Sequence, residues 1–275
     1  MGAMKTLRAD LHVHTTVSDG AVEPLEALRL AAERGLGALA LTDHDTDAAH
    51  AALRAGGDSL PLALVPGVEL DTRLRGMAVE ILVYGHRVGE GPLARMLSGI
   101  GARRRRRAEI IWQSVRRGLG AELPPLSVLY PPPRAVVTRP QMAECLFASG
   151  LAPHLEGALE MVAAYDPGFA PPETPEAMAA AQASGGLCVL AHPLQLAGGD
   201  LPALLRELAG WGLAGVEVDY PYADPGAVSR IEEVRSLAGE SGLFATGGSD
   251  SHLPEEIGRL SVELPAQLRR FASSG

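Results

Sequence analysis

Short apolar runs and helical stripes take turns along the first third of the chain. Residues 7–13 read as a strand with a largely apolar face. Residues 23–34 read as a helix: Leu25, Leu28 and Ala32 share a face, Pro24 suits the first turn and Gly35 ends it. Residues 38–41 form a short buried strand that runs into Thr42-Asp43-His44-Asp45, after which Asp47 can cap a helix reaching Leu53. Residues 62–70 and 78–84 read as two further strands. Repeated β-then-α units predict an α/β fold built on a parallel sheet or barrel.

The rhythm breaks after the fourth strand. Residues 92–117 predict one long helix, 123–133 are too rich in proline for regular helix, and 140–148 and 154–164 predict two short helices. A second proline-rich loop spans 166–175. The β/α rhythm then resumes, with helices at 176–183, 201–209 and 225–238 and strands at 187–191, 215–220 and 243–246. The pattern predicts a helical insertion, residues 91–172, in a framework made of residues 1–90 and 173–275.

Composition narrows the class. Apolar residues make up 47% of the chain and charged residues 21%, as in a soluble globular protein. No apolar run reaches about 18 residues and no basic-then-apolar leader opens the sequence, so a cytoplasmic protein without a membrane partner is expected. A net charge of −9 argues against duplex nucleic acid as a partner, and 4% aromatics leave little for base-stacking platforms. Cys145 and Cys188 match no zinc spacing and are expected to be buried thiols.

The candidate chemistry lies at the strand ends. His12 and His14 are two apart on a strand and leave it on one face. Asp19 follows in a Ser-Asp-Gly turn. His44, Glu69, His192 and the pair Asp250/His252 each fall at or just past the C-terminal end of a strand. In a β/α barrel those ends converge on one face, so residues remote in sequence meet there. Five of the eight histidines obey this rule. Of the others, His50 and His154 are expected at the surface and His86 at the rim. Imidazoles with carboxylates suit a divalent-metal site.

The segments Asp-Leu-His-Val-His-Thr with Ser-Asp-Gly, Leu-Thr-Asp-His-Asp, Pro-Gly-Val-Glu, Ala-His-Pro and Gly-Ser-Asp-Ser-His resemble, in order, the motifs of the PHP (polymerase and histidinol phosphatase) superfamily. The resemblance implies a distorted (β/α)7 barrel holding two or three divalent metals. Carried over by position, it puts one metal on His12, His14, Glu69 and Asp250. Glu69 bridges to a second, also held by His192, and Asp19, His44 and His252 take a third. Where the family has a histidine in the strand before the insertion, this chain has Glu80. A carboxylate ligand there favours Mn²⁺, with Fe²⁺, Mg²⁺ or Zn²⁺ as alternatives.

The insertion bears on the substrate. Its Arg-x-x-Arg and Thr-Arg-Pro stretches resemble the branch of the superfamily that removes the 3′-phosphate of nucleoside 3′,5′-bisphosphates, some members of which trim short single-stranded RNA. Members carry a histidine after Arg-Pro, where this chain has Gln141. Read on its own, the run Arg103 to Arg107 interrupts an apolar helical face formed by Leu93, Met96, Leu97, Ile100, Ile111 and Val115. Stepping along that face passes through Arg104 and either Arg107 or Ala108, which makes Arg104 and Arg107 the best inward candidates; Arg139 opens the next helix, and these three are expected to bind substrate phosphate. The expected reaction is metal-assisted phosphomonoester hydrolysis of a small nucleotide. Attack comes from a hydroxide bridging the metals beside Glu69 and His192, with His252 as the candidate acid. Alternatives are a short-RNA exonuclease, a histidinol-phosphate-type phosphatase and a non-catalytic metal-binding module.

Overall fold

A computed structural model of the chain describes residues 7–56, 60–120, 123–129, 134–196 and 200–272. The first half places β1 (Arg8–Val13), α1 (Pro24–Glu33), β2 (Ala38–Leu41), α2 (Ala48–Gly56), β3 (Ala63–Leu74) and β4 (Met77–Tyr84). Three longer helical pieces follow: α3 (Gly91–Leu119), α4 (Arg139–Ala148) and α5 (Leu155–Ala164). The rest comprises α6 (Thr174–Ala183), β5 (Leu187–Leu190), α7 (Leu201–Gly210), β6 (Gly215–Asp219), α8 (Pro225–Val228), α9 (Ile231–Glu240), β7 (Phe244–Gly247), β8 (Val262–Glu263) and α10 (Ala266–Arg269). No helix among the described residues is long and apolar enough to cross a membrane.

One eight-stranded sheet runs in the order β7-β6-β5-β4-β3-β2-β1-β8 and curls into a nearly closed barrel. The segment after β7 comes back against β1, where the His14 amide donates to Ser251 O at 3.0 Å. The approach is so close that a Cβ on Gly248 would lie 2.4 Å from the His12 nitrogen. Only glycine fits there.

The sheet is mixed, which corrects the all-parallel expectation. β4 runs antiparallel to both β3 and β5. Arg75 and Gly76 both have positive φ, 51° and 84°, and this tight two-residue turn folds β3 straight back into β4. Two further differences are local. Residues 225–238 fall in two helices, α8 and α9, separated at Ser229 and Arg230. The strand β8 is only two residues long, too short to show a period, yet it pairs with β1.

Two apolar clusters divide α3. Its first half packs Leu93 and Leu97 with Met178, Ala181 and the β3–β6 strands. Its second half packs Ala108, Ile111, Trp112 and Val115 with α4 and α5 through Met142, Leu146 and Val162. Of the proline-rich stretch 123–133, Leu126–Leu129 form a single 3₁₀ turn and residues 130–133 lie outside the described residues.

Two of the side histidines also need correction. His50 is buried, not superficial, and its Nε2 sits 3.0 Å from both Leu41 O and Gly67 O. His86 is buried against Asp47, 3.3 Å away. His154 is exposed, as expected, and caps α5, accepting from the Gly157 amide at 2.9 Å. Cys188 is buried but Cys145 is only half-buried, and neither is in a disulfide.

Candidate metal centre

Along β1, Leu11 packs with Leu82 and Tyr84 and Val13 packs with Val17 and Leu28, while His12 and His14 turn to carboxylates from other strands. Both imidazoles are almost wholly enclosed. Their Nε2 atoms each lie 3.2 Å from Glu69 Oε2. They also lie 3.3 and 3.1 Å from Asp250 Oδ1. Glu69 comes from the middle of β3, and Asp250 from the turn after β7, held at a φ of +49°. Such a left-handed aspartate is strained and is kept there by its surroundings.

A second group adjoins the first. His192 Nε2 is 3.2 Å from Glu69 Oε1 and 3.2 Å from Glu80 Oε2. A third collects around Asp19, whose carboxylate lies 3.5 Å from His14 Nδ1, 3.5 Å from His252 Nε2 and 3.9 Å from His44 Nε2. In each group one donor atom per residue lies within 4.8 Å of the rest. A further combination, His44 with Asp71 and Glu80, meets the same criterion.

The donor set fits divalent cations. His12 Nε2, both ring nitrogens of His14, His44 Nδ1 and Asp71 Oδ1 are buried without a hydrogen-bond partner. They face oppositely charged groups at short range, which is the arrangement of ligands around a central ion. The electrostatics agree. Burial alone would lower the pKa of His12, but Glu217, Glu69 and Asp250 raise it well above its ordinary value. His14 is likewise carried to about 9, against burial, by Asp250 and Glu69. Burial and the neighbouring Glu69 charge push Glu80 up to about 7. Carboxylates this crowded require positive charge among them, either protons on the imidazoles or metal.

A surrounding shell holds these side chains in place. Glu217 Oε1 is 3.0 Å from His12 Nδ1, and Oε2 accepts from the His192 amide at 3.0 Å. Asp43 accepts from the amides and hydroxyls of Thr15 and Ser18 and so shapes the turn that carries Asp19. Asp10 accepts from the Ser249 amide and hydroxyl and from the Gly258 amide. The Tyr220 hydroxyl donates to Asp250 Oδ2 at 2.7 Å. Sequence reasoning assigned none of these roles. Glu217 did leave a signal, as an acid set between two valines in a strand. Asp71 was missed because β3 continues to Leu74, four residues past the expected end. It stands two residues from Glu69, on the same face, opposite Glu80 in the adjoining strand.

The insertion contributes three arginines, of which Arg104 adjoins the cage through Asp71. Arg104 is buried on the inward face of α3, where it meets two carboxylates. Its Nε donates to Asp45 Oδ2 at 2.8 Å and its Nη2 contacts both Asp45 and Asp71. Arg107 is half-buried and forks onto Asp166, with Nε to Oδ1 at 2.7 Å. Arg139 Nη1 lies 3.5 Å from the same carboxylate. Arg107 in particular holds the Asp166 carboxyl below its ordinary range. Phe169 lies against the row, 4.7 Å from the Arg104 guanidinium. Gln141, in the place of the family's histidine, accepts from the Thr138 amide and donates to Ser18 O at 3.0 Å. It thereby ties α4 to the turn bearing Asp19.

Known proteins share this organisation. The PHP domain pattern matches residues 10–111 and the PHP-associated pattern residues 230–273. The chain is 31% identical over 272 residues to the 5′-3′ exoribonuclease Rnm of Escherichia coli, covering 94% of this chain and 90% of that one. It is 33% identical to a phosphoribosyl 1,2-cyclic phosphate 1,2-diphosphodiesterase of Eggerthella lenta, covering 88% and 93%. It is 28% identical to a 3′,5′-nucleoside bisphosphate phosphatase of Chromobacterium violaceum, covering 91% and 89%. A solved structure from Bifidobacterium adolescentis, described as a metal-dependent phosphoesterase, superposes with a TM-score of 0.72 at 28% identity, over 89% of this chain and 87% of that one. The enclosed histidine–carboxylate cage and these likenesses lead to one conclusion: the chain belongs to the PHP superfamily and is a metal-dependent phosphoesterase.

Proposed function

We propose that the protein removes the 3′-phosphate from nucleoside 3′,5′-bisphosphates with two or three divalent ions, Mn²⁺ first among them. In this reading His12, His14, Glu69 and Asp250 hold one ion. Glu69, Glu80 and His192 hold a second, and Asp19, His44 and His252 a third. The observation that carries the substrate class is the row Arg104, Arg107 and Arg139 lining one narrow cleft, which adjoins the cage through Arg104 and Asp71. A guanidinium fork matches two phosphate oxygens, so a second phosphate on the substrate finds partners there in exchange for the carboxylates that hold the arginines. Two carboxylate donors against one imidazole in the second group favour Mn²⁺ or Mg²⁺ over Zn²⁺.

When bound, the ions polarise the phosphoryl group and lower the pKa of water towards neutrality. The chain's own residues do the rest. Glu217 fixes His12 with Nε2 towards the cage, and Tyr220 fixes Asp250. Arg104 joins the cleft to the cage, since its partner Asp71 lies 3.1 Å from His44. His252 is 37% exposed, far more than His14 or His192. We assign its Nε2 the protonation of the leaving 3′-oxygen in the two-ion form of the enzyme, in which no third ion occupies it.

The test is Mn²⁺-dependent phosphate release from adenosine 3′,5′-bisphosphate. It should exceed release from adenosine 5′-monophosphate and histidinol phosphate by kcat/KM. A preference for histidinol phosphate would end the nucleotide reading. The likeness to an exoribonuclease over 94% of the chain supports a second reading, stepwise hydrolysis of short 5′-phosphorylated RNA. A 5′-phosphorylated oligoribonucleotide in the same assay decides between the two.

A further inference from the structure

We propose that the carboxylate of Asp166 stands, in the free protein, where the substrate's second phosphate binds, and so sets the affinity for doubly phosphorylated substrates by competing for Arg107 and Arg139. The proposal rests on the nucleotide reading above but concerns a residue outside the metal cage.

Four observations carry it. First, Arg107 grips Asp166 with Nε on one oxygen and Nη2 on the other. That parallel fork is how a guanidinium takes a phosphate. Second, the carboxylates are unevenly shared. Arg104 has two, Asp45 and Asp71, whereas Arg107 and Arg139 share the single Asp166 carboxylate. The Arg107–Arg139 end is therefore where two cations meet one monoanion, and where a phosphate dianion matches the local charge better than Asp166 does. Third, the cleft has apolar walls, Ile111, Val137 and Met142, which strengthen any ion pair formed inside it. Fourth, Asp166 arrives on a loop past the end of α5, not on the barrel. Among the described residues its carboxylate otherwise accepts only from the Gly168 amide, at 2.9 Å. Phe169 on the same loop lies within 6.0 Å of the guanidinium groups of Arg103, Arg104 and Arg107. One short loop therefore covers the arginines and supplies the anion.

The opposing view is that Asp166 only ties α3 to α4 and α5. The two differ in sign. A structural tie makes its loss harmful or neutral to ligand binding. A competitor makes its loss beneficial.

Asp166→Asn keeps an oxygen for the Gly168 amide and removes the charge, while Asp166→Glu keeps the charge. The Mn²⁺-loaded enzymes are compared on adenosine 3′,5′-bisphosphate and adenosine 3′-monophosphate, which offer the same 3′-phosphate but differ in the second one. Asp166→Asn should lower KM for the bisphosphate about tenfold, the effect of deleting one charge-assisted contact, and leave KM for the monophosphate unchanged. Asp166→Glu should stay near the parent value. Binding of adenosine 5′-monophosphate, measured by calorimetry, should tighten in Asp166→Asn by a similar factor. If no form hydrolyses the bisphosphate, the substrate reading falls, and the calorimetry still decides: tighter binding upholds the competitor role and unchanged binding overturns it. An equal fall in KM for both substrates, or an unchanged or raised KM for the bisphosphate, also overturns it. Should Asp166→Asn fail to fold, Asp166→Ser, which retains a short oxygen acceptor, is read in the same way.

Discussion

Glu217 Oε1 lies 3.0 Å from His12 Nδ1, and neither side chain has any exposed surface. The pair fixes which ring nitrogen of His12 faces Glu69 and Asp250. Glu217 also receives the His192 amide, so one carboxylate positions residues of two adjoining ligand groups.

Glu217→Gln preserves the shape and removes the charge. It should weaken Mn²⁺ binding roughly 10- to 100-fold, as losses of such outer partners do. Competition with a chelating dye measures this directly. Unchanged affinity would mean that His12 keeps its orientation by packing alone.

His14 touches both the first and the third ligand group. His14→Ala should therefore remove turnover and lower metal content together. Elemental analysis of chelator-free protein checks the second point. Full metal content with lost activity would move His14 out of the ligand set.

Metal removal should soften the fold. An ion held at a hundred times its Kd stabilises by about 2.7 kcal/mol, which is roughly 5–10 °C in Tm for a chain of this size. A chelator should lower Tm by that amount, and Mn²⁺ should restore it. The sign follows from the cage, whose buried carboxylates repel one another once the cation leaves.

Arg104 is 9% exposed and pairs with Asp45, which has no exposed side-chain surface. Arg104→Ala leaves that carboxylate unpaired and should destabilise the fold by about 3 kcal/mol in urea unfolding. It should also raise KM for a bisphosphate more than KM for a simple aryl phosphate. An equal rise for both would remove Arg104 from substrate binding and leave it a structural partner of the two aspartates.

Burial pushes the Cys188 thiol up to about 12, whereas Cys145 is half-buried on α4. In the folded protein a thiol reagent such as Ellman's should modify Cys145 first, and Cys188 only on unfolding. Titration with and without denaturant counts the two.

Much of the framework was legible in the chain itself. The strand at residues 38–41 and the long helix through the arginine run follow from local periodicity, which reports how one element divides its faces. The same periodicity pointed Arg104 inward. It could not show what Arg104 meets, because Asp45 and Asp71 lie 59 and 33 residues away. The direction of β4 was equally out of reach, since it depends on two positive φ values in a turn that carries only one glycine.

By itself the sequence determined the candidate metal ligands. Spacing of two on a strand, and placement at strand ends, are local properties that mark His12 and His14, Asp250 and His252. Tertiary structure alone decided which of them stand together and what holds them there. His12 lies against Glu217 across 205 residues, and Asp10 against Ser249 across 239. Only closure of the barrel, with Gly248 pressed onto His12, creates those contacts. The physical reason is that a buried charge is set by its neighbours in space, and a chain read residue by residue does not contain that distance.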